Sequence, residues 1–204
     1  MLIKIYPDNP SFTDIRLVKE CLLDGGVIIY PTDTVYAFGC HSEKNKAIER
    51  ISQLKGIKKK EADFSFIFSE LSQLSSYTKN FDKIVFKLMK RNLPGPFTFI
   101  LNANNNIPKI FNSKKKTIGI RIPNHPVALE IINQLGAPLI SSSIKNNDDI
   151  IEYNTDAEVL YEEFGDRVDM VIDGGYGDNQ PSTIIDCTSN EIEITREGKG
   201  ILEW

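Results

Sequence analysis

Short apolar runs alternate along this chain with amphipathic stretches, and several neighbouring runs lie too close together for a helix to cross between them. Parallel strands need such a crossover, so this spacing favours a mixed sheet over a doubly wound parallel one. Met1-Leu2-Ile3-Lys4-Ile5 alternates like a strand. Ile15 to Leu23 reads as a helix closed by Gly25-Gly26. Val27-Ile28-Ile29-Tyr30 reads as a buried strand that stops at Pro31, which cannot donate to a ladder. Ala47, Ile48, Ile51 and Leu54 form a helical stripe ending near Gly56. Phe64 to Phe68 is strand-like, and Ser69 is expected to cap a short helical run containing Leu71 and Leu74. Phe97 to Leu101 and Thr117 to Ile122 read as strands, and Val127 to Leu135 as a helix ending at Gly136. Val159, Leu160 and Phe164 belong to another helix, and Val168 to Ile172, Thr183 to Cys187 and Ile192 to Arg196 complete the strands. Asn102 to Asn106 and Lys145 to Asp149 read as exposed loops. The class is α+β, a mixed α/β sheet flanked by helices.

At 204 residues the chain is expected to be a single domain, residues 1–204, large enough for a sizeable core. No apolar run approaches the roughly 20 residues of a membrane helix. The start lacks the basic-then-apolar pattern of a signal peptide. Cys21, Cys40 and Cys187 are scattered and form no Cys-x-x-Cys pair, which suits reduced thiols in the cytoplasm. His41 and His125 are the only histidines, too few for a histidine-based metal site.

Charge is uneven. From Lys55 to Arg121 there are 14 Lys and Arg against 4 Asp and Glu, although the whole chain carries a net charge of −4. A middle third this basic can face phosphates, or it can be a set of solvated helix faces. Lys79, Lys83, Lys87 and Lys90 share one helical face, with Phe81, Ile84, Val85, Leu88 and Met89 opposite.

The chemistry-bearing residues contain neither a Gly-x-x-x-x-Gly-Lys-Ser/Thr loop nor a Gly-x-Gly-x-x-Gly fingerprint. Ser142 to Lys145 fits Ser-x-x-Lys, but its Lys-Thr-Gly partner is missing and both histidines are far off in sequence. Thr32, Asp33 and Thr34 follow the Val27–Tyr30 strand. Such donors and acceptors at a strand end suit a ligand site, and equally a turn in which Asp33 and Thr34 bond their own backbone. What remains is a set of hydroxyls and cations without an obvious nucleophile. That set suits phosphoryl or nucleotidyl transfer, in which substrates supply the nucleophile and the protein positions reactants and neutralises charge.

The wording of Tyr30-Pro31-Thr32-Asp33-Thr34-Val35-Tyr36-Ala37-Phe38-Gly39 resembles the YrdC-like family. The resemblance extends through Pro94-Gly95-Pro96-Phe97-Thr98, Ile120-Arg121-Ile122-Pro123 with His125-Pro126, Pro138 to Ser143, Pro181 to Asp186 and Arg196-Glu197-Gly198. It spans nearly the whole chain. Tyr6-Pro7-Asp8-Asn9-Pro10, Lys116-Thr117-Ile118-Gly119 and Asp173-Gly174-Gly175-Tyr176 resemble the YciO branch in particular. The resemblance implies a YrdC-like twisted mixed parallel and antiparallel sheet flanked by helices around a basic concave cavity. It also implies a nucleotidyltransferase similar to threonylcarbamoyl-AMP synthase, which joins ATP, L-threonine and bicarbonate with loss of pyrophosphate for tRNA modification. Mg2+ would enter with ATP, with no metal site made by protein alone.

By the same resemblance, Thr34 would hold the substrate threonine, Tyr36 would shape the pocket floor, and Ser142 and Ser182 would face the substrate. Arg121 would clamp its carboxylate, a role that competes with an internal salt bridge. Lys55, Lys58, Thr98, Ser143 and Arg196 would meet the nucleotide. Two departures stand out. The family's Lys-Gly-Arg-Pro run reads Lys55-Gly56-Ile57-Lys58, so a bidentate arginine is replaced by point charges. The family's Ala-Asn after the paired hydroxyls reads Ile144-Lys145, which removes an amide. Asp33 is expected to bond local backbone donors, and Asp186 to cap. The alternative to the enzyme is a protein that holds double-stranded or structured RNA in the same basic concavity without chemistry. Such binding would weaken steeply with salt.

Overall fold

A computed structural model describes residues 1–56, 64–107, 116–145, 153–189 and 191–204. Lys58, with its neighbours Lys59 and Lys60, lies outside the described residues.

Among the described residues, ten strands form one sheet. In chain order they are β1 (Leu2–Lys4), β2 (Ile28–Tyr30), β3 (Ala37–His41), β4 (Ser65–Ile67) and β5 (Phe97–Asn102), then β6 (Thr117–Arg121), β7 (Leu139–Ser143), β8 (Met170–Asp173), β9 (Thr183–Asp186) and β10 (Glu193–Arg196). Their spatial order is β1-β8-β2-β3-β7-β4-β6-β5-β9-β10. The pairs β1/β8, β2/β8, β4/β6 and β5/β9 are parallel. The pairs β2/β3, β3/β7, β4/β7, β5/β6 and β9/β10 are antiparallel. The sheet is therefore mixed, as the short spacings required.

Among the described residues five α-helices cover it: α1 (Phe12–Leu23), α2 (Asn45–Leu54), α3 (Lys83–Asn92), α4 (Pro126–Leu135) and α5 (Ala157–Phe164). Successive strand residues point to opposite faces, and the core divides accordingly. Ile28, Ala37, Ile67 and Leu139 pack with Ile15, Val18 and Leu22 of α1 and Val127, Ile131 and Ile132 of α4. Their neighbours Ile29, Phe38, Phe66 and Ile140 pack with Ile48 and Ile51 of α2, Leu88 of α3 and Leu160 and Phe164 of α5. Helix α4 starts on Pro126, whose fixed φ suits the first turn, and ends at Gly136 in the left-handed region at φ 70°. No described helix is long and apolar enough to cross a membrane.

Two local expectations are corrected. Ser69 is not the cap of the run at Leu71–Ser76, which is a 3-10 helix; instead Gln73 reaches back, its Oε1 accepting from the Ser69 amide. A six-residue run preceded by a non-capping Glu70 lacks the length for an α-helix. Helix α3 begins after Asp82, whose carboxylate accepts from the Ile84 amide, so Lys79 is not on the helix. The Lys79 amide donates to Asn102 O at the end of β5 instead. Ile84 is 64% exposed rather than packed, because the buried stripe is Val85, Leu88, Met89 and Asn92.

Candidate active site

The loop after β2 is a set of internal hydrogen bonds. Thr32 Oγ1 donates its only proton to Val35 O at 2.8 Å. In the 3.0 Å contact between the two threonine hydroxyls, Thr34 must therefore be the donor. Thr34 Oγ1 in turn accepts from Arg121 Nη2 at 3.0 Å. The same Nη2 donates to Asp33 Oδ1 at 2.7 Å. The Asp33 and Arg121 side chains are only 9% and 10% exposed, so this is a buried ion pair. The expectation that Asp33 bonds local backbone donors is corrected. A guanidinium arriving buried at the end of β6 needs an anion, and Asp33 supplies it.

Tyr36 is buried with its hydroxyl tied to the loop after β8. It donates to Gly175 O at 2.6 Å and accepts from the Gly174 amide at 3.3 Å. Burial, the main cause, pushes its pKa up to about 12. This tyrosine thus holds a neighbouring loop in place. Gly174 is needed there, since a Cβ would lie 2.6 Å from Pro31 Cγ. The loop is fastened further along, where the Gly177 amide donates to Thr155 O and the Asp178 amide to Thr34 O. Lys199 completes the closure. Its Nζ donates to Asp33 O at 2.7 Å and sits 2.8 Å from Asp178 Oδ2. That ammonium, the first cause, holds the Asp178 carboxyl below its ordinary value.

Two further groups adjoin this loop. Lys55, just past α2, donates from Nζ to Ser142 Oγ at 2.6 Å and to Ser143 O at 2.8 Å. Ser143 and Ser142 lie on β7 opposite Ala37 and Phe38 of β3, directly after Tyr36. Thr98 and Ser182 share a 2.8 Å hydroxyl contact where β5 and β9 begin. Arg196 donates from Nε and Nη2 to Ser182 O, and Nη2 also approaches Ser182 Oγ at 3.2 Å. The Lys199 amide donates to Pro181 O, which joins this group to the Asp33 loop. Thr34, Thr98, Arg121, Ser182 and Arg196 are thus connected by way of Asp33 and Lys199, while Lys55, Ser142 and Ser143 contact one another and lie beside Tyr36 through the β3/β7 ladder.

Three buried polar atoms in this region have no hydrogen-bond partner: Asp33 Oδ2, Arg121 Nε and His125 Nδ1. His125 ends the turn between β6 and α4, and its Cε1 would lie 3.5 Å from a Cβ on Gly174. Burial lowers its pKa, opposed by the charge of Asp33, so the ring is neutral near pH 7. Among the described residues no group of His, Cys, Asp and Glu could hold a metal ion.

The family model described as telomere recombination, Sua5/yciO/yrdC, matches residues 20–198. The chain belongs to the Sua5/YciO/YrdC family. E. coli YciO, an uncharacterized protein, is 38% identical over 198 residues, 96% of this chain and 94% of that one. Its crystal structure superposes with a TM-score of 0.91 over 98% of this chain and 97% of that one, at 36% identity. The threonylcarbamoyl-AMP synthase of Marinobacter nauticus is 30% identical over 188 residues, 90% of this chain and 96% of that one. P. abyssi Sua5 complexed with L-threonine superposes at a TM-score of 0.87 and 26% identity, over 97% of this chain and 57% of that one.

Within this member of the Sua5/YciO/YrdC family, the residue-level reading missed Lys199 and Asp178, which fasten the loop over Asp33. The only available signal was a second cation three residues after Arg196 in Arg196-Glu197-Gly198-Lys199. On α3, Lys83, Lys87, Lys90 and Arg91 share one exposed arc, flanked by Ile84 and Phe86, which are 64% and 43% exposed. A separate cavity of about 310 Å³ lies between the start of α3 and the β9–β10 turn, lined by Lys79, Phe81 and Ile192 among others. It contains none of the residues of the network above. Cys40 and Cys187 are buried, as small core residues are, and burial raises the Cys187 thiol to about 11.

Proposed function

We propose that this chain is a nucleotidyltransferase that makes threonylcarbamoyl-AMP. L-Threonine's amine and bicarbonate give a carbamate and water. A carbamate oxygen then attacks the α-phosphorus of ATP, the α–β bridging P–O bond breaks, and pyrophosphate leaves; Mg2+ entering with ATP would offset the phosphate charge. The product would serve tRNA modification. The observation that carries this reading is the hydroxyl-and-cation network itself. One of its hydroxyls, Thr34, already gives its proton to Thr32 and accepts from Arg121. A hydroxyl held that way is suited to positioning, and in this reading the nucleophile comes from substrate. Support also comes from the 30% identity to a threonylcarbamoyl-AMP synthase over 90% of this chain, and from the L-threonine complex of the structurally similar Sua5.

In this reading Lys55 and Arg196, with Thr98 and Ser143 beside them, steady the phosphates as charge builds on the leaving pyrophosphate. Thr34 offers its remaining acceptor position to the amino acid, with Ser142 and Ser182 lining the way between them. Arg121 reaches the substrate carboxylate while remaining paired to Asp33. The test is incubation of pure protein with ATP, Mg2+, L-threonine and bicarbonate, with mass spectrometry for the adduct and a coupled assay for pyrophosphate. Lys55→Met and Arg196→Met should each lower the rate by about 10²–10³, the usual loss for one electrostatic donor. Absence of both products from the wild-type protein would refute the activity.

A further inference from the structure

Helices α3 and α5 present the same surface layout with opposite charge. At about 100° per residue, the exposed side chains of α3 run round the helix in the order Phe86, Lys90, Lys83, Lys87, Arg91, Ile84. Four cations thus form a ridge, with an exposed aromatic ring on one flank and an exposed aliphatic side chain on the other. On α5 the order is Tyr161, Glu158, Glu162, Val159, with Glu163 beyond. Here the ridge is two carboxylates, and the flanks are again one aromatic and one aliphatic side chain, 38% and 44% exposed. Glu163 is held within its own chain, where Oε2 accepts from Asn154 Nδ2 at 3.5 Å. Among the described residues none of the four cations, and neither Glu158 nor Glu162, takes part in an ion pair. Like charges four residues apart repel, as Lys83 does Lys87, Lys87 does Arg91 and Glu158 does Glu162. Each ridge is therefore relieved by a partner of the other sign.

We propose that a second copy of this chain docks on this surface, α3 of each copy against α5 of the other, in a weak, salt-sensitive dimer. Both helices pack on the same face of the sheet. Val85, Leu88 and Met89 of α3 and Ala157, Leu160 and Phe164 of α5 share one core cluster with Ile29, Phe38, Phe66 and Ile140. A single α3-to-α5 contact would leave one ridge free on each copy, and copies would add head to tail. A two-fold axis makes the contact twice and closes the assembly. The opposed ridges then neutralise one another, and the apolar flanks of one helix are covered by those of the other. Six exposed residues of α3 and five of α5 are fewer than the roughly 20–30 residues a side of a standard interface, so the affinity is low and rests on charge.

The experiment is sedimentation equilibrium of the full chain at protein concentrations up to about 1 mM, the weak end of specific association. A dimer should form at low salt, and raising NaCl from about 50 mM to about 500 mM should weaken it about tenfold or more, because exposed charge pairs are screened. Two charge-reversed variants at exposed positions make the test specific. One carries Lys83→Glu, Lys87→Glu and Lys90→Glu; the other carries Glu158→Lys and Glu162→Lys. Each should be monomeric alone. Mixed in equal amounts they should dimerise again, since reversed ridge then meets reversed ridge and native meets native. A wild-type chain that stays monomeric throughout, a dimer indifferent to both variants, growth beyond two copies, or a mixture that fails to dimerise while both variants keep native circular dichroism would overturn the inference. So would a monomeric wild type whose lysine variant loses binding to an RNA duplex, which would give the basic arc to nucleic acid. The wild-type concentration and salt series decides the matter if a variant fails to fold.

Discussion

Arg121→Met tests the buried pair most directly, and it must be measured as stability before any loss of activity is interpreted. Methionine keeps much of the arginine stem and removes only the group that touches Asp33 at 2.7 Å and Thr34 at 3.0 Å. Both charged side chains are about nine-tenths covered, so solvent screening is weak. With charge centres about 4 Å apart and an effective dielectric near 20, the attraction is ~4 kcal/mol. Stranding the Asp33 carboxylate should therefore cost about 3–5 kcal/mol of folding stability. Asp33→Asn strands the arginine but keeps an acceptor, and should cost about 2–3 kcal/mol. The double variant leaves neither charge buried alone and should return to within about 1–2 kcal/mol of wild type. Urea unfolding followed by circular dichroism gives all four corners of the cycle, with a coupling of about 3 kcal/mol or more expected. An Arg121→Met cost under about 1 kcal/mol at unchanged m, or an additive double variant, would show the pair to be solvent-screened and the argument from burial mistaken.

Other perturbations test the surrounding frame. Gly198→Ala places a Cβ against Pro181 O and 2.6 Å from Ser182 C, both backbone, so it should destabilise by about 1–3 kcal/mol in urea unfolding and slow adduct formation; a silent substitution would mean that this turn is loose. Lys199→Met should barely change global stability, since its ion pair is partly exposed, yet should speed hydrogen exchange at the Gly177 and Asp178 amides; unchanged exchange would show that Lys199 does not hold the loop. His41 and His125 both have pKa values lowered by burial from the ordinary 6.5. The unfolded chain therefore binds more protons, so their contribution is complete above that value and is lost as pH falls towards the folded values. Between about pH 7.5 and about pH 5.5 stability should decline, and replacing both histidines by asparagine should flatten the decline; an equally steep slope in the double variant would assign it to other groups.

Where a local rule decides the outcome, the fold was legible. Val27 to Tyr30 is apolar and β-branched up to a proline, and β2 ends at Tyr30. The Val127 to Leu135 stripe stops at a glycine, and α4 ends there. Short spacings excluded an all-parallel sheet, and five of the pairings are antiparallel. Where two rules compete, it was not. The lysines from Lys79 to Lys90 keep helical spacing, but Asp82 at the N-cap and the Lys79 amide on Asn102 fix the start of α3 four residues later, at Lys83. The candidate site was legible as a set of motif residues and not as a set of contacts. Asp33 and Arg121 are 88 positions apart, and nothing in either neighbourhood names the other as partner. A buried arginine announces the need for an anion without saying which of 28 acidic residues meets it.

Strand order and twist supply what the linear pattern omits. Asp33 follows the C-terminal end of β2, whereas Thr98 and Ser182 stand at the N-terminal ends of β5 and β9. Strands β2 and β9 run in the same direction through the ladder, because four antiparallel steps, β2/β3, β3/β7, β7/β4 and β6/β5, separate them. In a flat sheet these groups would therefore sit at opposite edges. Six pairings lead from β2 to β9, and at about 20–25° each they accumulate roughly 120–150° of rotation. Twist alone would leave the two strands six spacings apart, so the sheet must also curl for Lys199 to bridge Pro181 and Asp33. The site thus depends on the shape of the whole sheet, and each residue of the network depends on strands to which it is not adjacent in sequence.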